Sequence, residues 1–168
     1  MDAIEKIKSL NIWKKDLTIN PLEGGITNLN FLVNHGDQKL VVRLGQDIPE
    51  HLVFRSNEIN VSKAAYEIGV SPKLIHSELG VLVLEFIESE TLDPKGVQKN
   101  LKRIMPVIKK IHNEIPNFLS GQPAMFWVFH VIKYYANFLR SNQSSHLDKI
   151  DDLLNKASKL EKLSSPRE

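Results

Sequence analysis

The 168-residue chain has no cysteine. That excludes disulfides and thiolate chemistry, and it is compatible with a reducing cytoplasm. Long apolar runs are also missing: no segment approaches the roughly 20 apolar residues needed to cross a bilayer. The N-terminal MDAIEKIKSLNIW interleaves charge with apolar residues and lacks the unbroken apolar core of a signal peptide. A cytoplasmic protein is therefore expected. Charge of one sign is scarce, with a formal net charge of +2 and the basic residues spread along the chain. Nucleic-acid binding favours a concentrated basic stripe instead. Neither a Gly-x-x-x-x-Gly-Lys-Ser/Thr P-loop nor a Gly-x-Gly-x-x-Gly turn occurs. The six histidines, His35, His51, His76, His112, His130 and His146, show no ligand pairing at helical spacing, and no metal site is expected from them. There is no internal repeat.

What is present reads as one ordinary domain or two small lobes, because 42% hydrophobic and 25% charged residues describe a soluble globular chain. Ile4, Ile7 and Leu10 recur at helical spacing over residues 2–10. Residues 17–22, 30–34 (NFLVN) and 39–44 (KLVVRL) read as three strands. His35-Gly36-Asp37 between the last two is a natural turn, since glycine accepts positive φ and Asp bonds its own backbone. Pro49 suits the first turn of a helix with Asp47 as N-cap. That helix carries Leu52, Val53, Ile59, Ala64, Ala65 and Ile68 and stops at Gly69. Residues 74–76 read as a short strand, and the apolar run 81–87 (VLVLEFI) as a buried one.

Beyond these the character turns helical. Asp93-Pro94 is a cap followed by a first-turn proline. Leu101, Ile104, Met105, Ile108, Ile111 and His112 share one helical face, with a kink or break expected at Pro106. Residues 125–139 predict a helix burying Phe126, Phe129, Ile132, Tyr135, Phe138 and Leu139. A last helix carries Leu147, Ile150, Leu153, Leu154, Ala157 and Leu160, capped by Ser144 or Ser145. The tail SSPRE is polar and expected to be loose. The fold class is α+β: a β-rich lobe over residues 1–88, then helices over 89–168.

The stretch LEGGITNLNFLV (residues 22–33) raises the functional question, because Gly24 and Gly25 stand between two strands. A tight hairpin explains them, and so does a phosphate lying over bare backbone. The succession of elements favours the phosphate: strand, glycine turn, strand, turn, strand with a cation, helix with an acid, strand. That order is the N-terminal lobe of a kinase, where the glycine turn covers ATP and the cation reaches its phosphates. The cation is Arg43, unusual among apolar neighbours unless paired or bound to an anion, since burying a lone charge is costly. An edge-strand arginine in solvent is the plain alternative. Its partner acid is Glu58. Thr27 and Asn28 either line the loop or merely stabilise the turn. Glu85, Phe86 and Ile87 stand where a hinge would pair its backbone with adenine.

GGITNLNFLV, KLVVRLG, RSNEINVSKAAYEIGVSPKLI and VLEFIESETL together resemble the choline and ethanolamine kinases, within the broader aminoglycoside-phosphotransferase group. The Gly-Gly-x-Thr-Asn-x-Asn turn is very similar to that of bacterial choline kinases of the lipopolysaccharide-decorating type. The resemblance covers residues 17–112 and fits more loosely through the helices to Pro166. It implies a protein-kinase-like fold, ATP and Mg2+ as cofactors, and an amino-alcohol substrate. It also implies an ATP-binding set of Gly24, Gly25, Thr27, Asn28, Arg43, Glu58, Glu85, Phe86 and Ile87.

The family's catalytic His-x-Asp-x-x-x-x-Asn loop and its later metal-binding aspartate have no match here. His112-Asn113-Glu114 has Glu for Asp and an early Asn. His146-Leu147-Asp148 is followed by Leu153 where Asn is required. Both read as helix residues. Trp127, Tyr134 and Tyr135 could form a choline cage, but aromatics at helical spacing are usually core. The expectation is thus a nucleotide-binding half that stops before the catalytic loop. It would hold no catalytic residue or metal ligand and would be inactive alone, with Mg2+ ligands in the missing half. Homodimerisation through exposed apolar surface is a further expectation. A non-catalytic nucleotide- or protein-binding remnant is the alternative reading, as is a kinase of an aminoglycoside, homoserine or thiamine.

Overall fold

A computed structural model describes residues 2–121 and 126–164. Among them are five strands and six helices, an α+β arrangement as expected, and the chain divides into two compact units.

The first unit comprises residues 1–49 and 53–123. Its strands are β1 (Leu17–Leu22), β2 (Leu29–His35), β3 (Gln38–Leu44), β4 (Leu74–Glu78) and β5 (Val81–Glu85). They form one antiparallel sheet in the order β1-β2-β3-β5-β4. Side chains alternate across the sheet with period two. Phe31, Val33, Leu40, Val42, Leu44, Val81 and Val83 all lie in one buried cluster with Ile7 and Leu10. Ile7 belongs to α1 (Ala3–Lys8), which Asp2 and Glu5 start with a reciprocal capping box. The alternate residues Asn30, Arg43 and Leu82 are directly opposed across β2, β3 and β5, so they share the other face.

The helix expected from Pro49 begins later. Residues Pro49–His51 make a single 3₁₀ turn, and α2 runs Arg55–Glu67. Two backbone bonds between Ile48 and Val53, at 2.9 and 3.1 Å, close the intervening loop, and Leu52 stands at φ +56°. Neither feature is compatible with a continuing α-helix. Asp47 still caps the helix from a distance, since its Oδ1 accepts the Arg55 N–H at 2.7 Å.

Two helices complete this unit. α3 (Pro94–Lys99) is capped by Asp93, whose Oδ1 accepts the Gly96 N–H at 2.6 Å. α4 (Leu101–Phe118) continues through both Pro106 and Pro116, so the expected break does not occur. Each proline frees one carbonyl, those of Lys102 and His112, and both residues are exposed and can be solvated. His112 is an exposed residue of this helix.

The second unit comprises residues 50–52 and 124–168, and pairs α5 (Val128–Ser141) with α6 (Leu147–Ser164). Met125, the expected helix start, lies outside the described residues. Phe129, Val131 and Ala136 of α5 and Ile150 and Ala157 of α6 are buried. Phe126, Phe138 and Leu139 are exposed, contrary to the sequence reading. Stepping by three residues drifts about 60° around a helix each time, so the ends of that series leave the packed face. The Ser144 hydroxyl accepts the His146 N–H at 3.3 Å just before α6.

Candidate functional site

The β1–β2 loop places Gly24 at φ +103° and Gly25 at φ +93°, a region that side chains strongly disfavour. Backbone conformation alone thus requires both glycines. The surroundings differ between them. A Cβ on Gly24 would meet nothing within 4 Å, whereas one on Gly25 would lie 3.0 Å from Asn30 Nδ2. That same Nδ2 donates to the Gly24 carbonyl at 2.8 Å and ties the loop to β2.

Arg43 is not an unpaired edge arginine. Its Nη1 donates to Glu58 Oε1 at 3.0 Å and its Nε to Asn30 Oδ1 at 3.3 Å. The register explains the meeting: Asn30 opposes Arg43 across the sheet, and Glu58 sits in the first turn of α2 over that face. Arg43 Nη2 has no partner among the described residues, and the side chain is 36% exposed. A guanidinium held at two nitrogens with the third open is suited to receiving an anion.

Glu58 has a second cation. Arg55 Nη1 donates to Glu58 Oε2 at 2.8 Å, and Arg55 is buried, at 4% exposure. Its Nη2 donates to the Thr27 carbonyl at 2.9 Å and its Nε to the Gln46 carbonyl at 2.8 Å. Thr27 therefore contributes its backbone to the arrangement. Asn28 Oδ1 is buried with no hydrogen-bond partner among the described residues. Sequence reasoning missed Arg55, Asn30 and Gly45. Arg55 did leave a signal: it stands three residues before Glu58, the spacing of an ion pair on one helical face.

Glu85, Phe86 and Ile87 lie at the opposite end of the sheet, where β5 ends. Leu40 opposes Glu85 and Arg43 opposes Leu82, so about 10 Å of strand separates this end from Arg43. The Glu85 N–H donates to the Lys73 carbonyl at 2.9 Å, and the Phe86 N–H to the Lys39 carbonyl at 3.2 Å. Lys39 Nζ lies 5.5 Å from the Phe86 ring centroid and 2.9 Å from Glu88 Oε1. Ile87 is 53% exposed, and no backbone hydrogen bond engages it among the described residues.

Loop residues 25–29 also line a cleft of about 860 Å³ with Lys6, Leu79 and Gly80. Arg43 and Glu58 do not line it, so it is distinct from the Arg43–Glu58 pair. Of the aromatic residues in and just before α5, Phe129 is buried, whereas Trp127, Tyr134 and Phe138 are exposed. Trp127 and Tyr134 are 37% and 39% exposed, and Trp127 packs edge-on against Phe129. No group of three or more His, Asp or Glu side chains placed to hold a metal occurs among the described residues.

The 1-2-3-5-4 antiparallel sheet, with a β3 cation fixed by an acid from the following helix, defines a protein-kinase-like lobe. The sequence profile of the choline/ethanolamine kinases matches residues 19–168, and the chain belongs to that family. Several solved structures are similar, among them the following three. An ethanolamine kinase from Plasmodium vivax shares 17% identity at a TM-score of 0.69, covering 97% of this chain and 48% of that one. A choline kinase from Cryptosporidium parvum shares 20% identity at a TM-score of 0.64, over 91% and 46%. A choline/ethanolamine kinase family protein from Mesorhizobium loti shares 26% identity at a TM-score of 0.58, over 82% and 45%. The first two likenesses bear on fold alone. No curated protein matches the chain. It spans about half the length of these solved relatives.

Proposed function

We propose that this chain supplies the nucleotide-binding part of an ATP-dependent kinase acting on the hydroxyl of choline or ethanolamine. The observation that carries the reading is Arg43. It is fixed by Glu58 and Asn30, its Nη2 is uncommitted, and it lies on the same sheet as a glycine loop with open space at Gly24. In this reading Arg43 receives the α- and β-phosphates, residues 24–28 cover them, and the adenine edge meets the backbone of Ile87. Glu85 and Phe86 hold that segment through their committed N–H groups. The roughly 10 Å of strand between Arg43 and the Glu85 end is a span an extended nucleotide can bridge. Residues 1–88 would form the nucleotide lobe and residues 89–168 the start of the helical one.

In the complete reaction the substrate hydroxyl would attack the γ-phosphorus in line, forming the phosphoester as the bond to ADP breaks and the hydroxyl proton is released, and Mg2+ when bound would supply charge neutralisation. The family's His-x-Asp-x-x-x-x-Asn loop and later metal-binding aspartate have no match in this sequence, so the Mg2+ ligands are assigned to the half of the family fold this chain does not span, and the reading is binding without turnover by the 168-residue chain. Choline or ethanolamine is preferred over other small alcohols because the matching profile is that of choline/ethanolamine kinases.

The test is calorimetric titration of the chain with ATP. Wild type is expected to bind, and Arg43→Met to bind at least about tenfold more weakly, the loss of one charge-assisted contact. Equal affinity of the two proteins, or no binding by wild type, would overturn the reading.

A further inference from the structure

We propose that Arg55 is a positioning residue that couples the glycine loop to the Arg43–Glu58 pair. It rests on the nucleotide reading above for its consequence in ATP affinity, but not for the coupling itself.

Arg55 joins three separate stretches of chain. Its guanidinium reaches the β1–β2 loop at the Thr27 carbonyl, the β3–α2 connection at the Gln46 carbonyl, and α2 at Glu58 Oε2. Every one of its nitrogens is engaged within the protein, in contrast to Arg43. A planar fork with donors in fixed directions can satisfy three acceptors from three segments at once; a lysine ammonium on a flexible stem cannot hold that geometry. Burial makes the bonds obligatory, since a buried guanidinium without partners is strongly disfavoured.

Its effect on Arg43 passes through the Glu58 carboxylate. Arg43 takes Oε1 and Arg55 takes Oε2, so both oxygens are fixed and the carboxylate cannot turn about its own axis. Release Oε2 and the remaining Arg43 contact no longer defines the plane of the carboxylate. Arg43 then keeps only the longer bond to Asn30 as a second restraint. Through Thr27, the same guanidinium sets the height of the loop over the sheet. Displacing the loop therefore displaces Glu58, and ordering one orders the other.

Gly45 is an independent sign that the backbone is built around this side chain. A Cβ there would lie 2.6 Å from both Cζ and Nη2 of Arg55 and 2.7 Å from Asn28 Oδ1. Only glycine lets the end of β3 pass so close to the guanidinium.

The test uses the 168-residue chain and the Arg55→Lys variant, which keeps the charge and loses the fork. Amide hydrogen exchange at residues 24–28 is expected to rise at least tenfold, while exchange in β2 and β3 stays unchanged. ATP affinity is expected to fall about tenfold. Adding Arg43→Met to Arg55→Lys should cost less than the sum of the two single losses, because part of the Arg55 effect passes through Arg43 and the rest through the loop at Thr27. Additive losses, or loop exchange unchanged from wild type, would overturn the coupling. If β2 and β3 lose protection in Arg55→Lys, Gly45→Ala becomes the deciding variant: it presses on the guanidinium while leaving every donor in place, and the same loop response is expected. Should wild type not bind ATP, faster loop exchange in Arg55→Lys still supports the coupling while the nucleotide reading fails. Should wild type bind and Arg55→Lys bind equally with an unchanged loop, the coupling fails and the nucleotide reading stands.

Discussion

Glu58 serves two arginines, and the two bonds are expected to have opposite weights in stability and in function. The Arg43 bond is 3.0 Å long and joins side chains 36% and 21% exposed. Solvent screening limits such a pair to about 0.2–1 kcal/mol. The Arg55 bond is 2.8 Å long, and the arginine side chain is only 5% exposed. Charge-assisted bonds of that kind contribute about 1.5–3 kcal/mol, and breaking a buried pair costs about 3–5 kcal/mol. Arg55 retains two carbonyl acceptors when Glu58 is removed, which places the expected coupling near the lower range, at about 2–3 kcal/mol. Two double-mutant cycles measure this, Arg43→Met with Glu58→Ala and Arg55→Met with Glu58→Ala. Cavity and helix-propensity effects of the single changes cancel in each cycle. The assay is urea unfolding followed by Trp13 fluorescence in a Trp127→Phe background. Trp13 belongs to the sheet unit, where its Nε1 donates to the Ile7 carbonyl at 2.6 Å. Raising salt to about 1 M should shrink the Arg43 coupling far more than the Arg55 coupling. An Arg43 coupling equal to or larger than the Arg55 coupling would refute the reasoning. In the ATP titration the order should reverse, with Arg43→Met losing at least as much affinity as Arg55→Lys.

Two further outcomes are expected. Ile7→Ala removes a side chain with no exposure from the cluster joining α1 to the sheet and should cost about 3 kcal/mol, read as a lower urea midpoint of Trp13 fluorescence. In the second unit, the Lys133 hydrogen bond, with smaller contributions from Trp127 and His130, holds the Glu161 carboxyl below the ordinary glutamate value of 4.5. A lowered folded-state value adds stability that is full above the ordinary value and is lost as pH falls through the lowered one. The urea midpoint of Trp127 fluorescence in a Trp13→Phe background should thus hold above the ordinary value of 4.5 and fall as pH drops below it, and Glu161→Gln should flatten that fall.

The parts of this fold that were legible are those whose cause is local. Strands β1, β2 and β3 announce themselves by period-two alternation and by the turn at Gly36-Asp37, because pleat and turn are decided within a few residues. Arg43 and Glu58 were legible for a chemical reason: a cation in an apolar strand demands a partner, and the next helix offers an acid. The start of α2 was misplaced because Pro49 and Asp47 argue locally for a helix, while the Ile48–Val53 bridge that prevents it is a pairing across a loop. The face of α5 was misread because a step of three residues approximates 3.6 over one turn but not over four.

Arg55 was passed over for a deeper reason, although its spacing to Glu58 left a signal. At the first turn of a helix, followed by Ser, Asn and Glu, an arginine has every local mark of a solvent-facing residue. Its burial is imposed by acceptors 28 and 9 residues away in sequence, and those acceptors are backbone carbonyls that any residue would carry. No side-chain type at Thr27 or Gln46 encodes the contact, so a reading by residue type passes over it. What does encode it is the missing side chain at Gly45, a glycine without the positive φ that explains Gly24 and Gly25. A glycine in ordinary backbone at the end of a strand, ten residues before a helix-starting arginine, is accounted for by close approach and not by turn geometry. The pair glycine-then-arginine is thus the sequence trace of the staple. The conspicuous double glycine shapes the loop; the inconspicuous single one makes room for the residue that holds it.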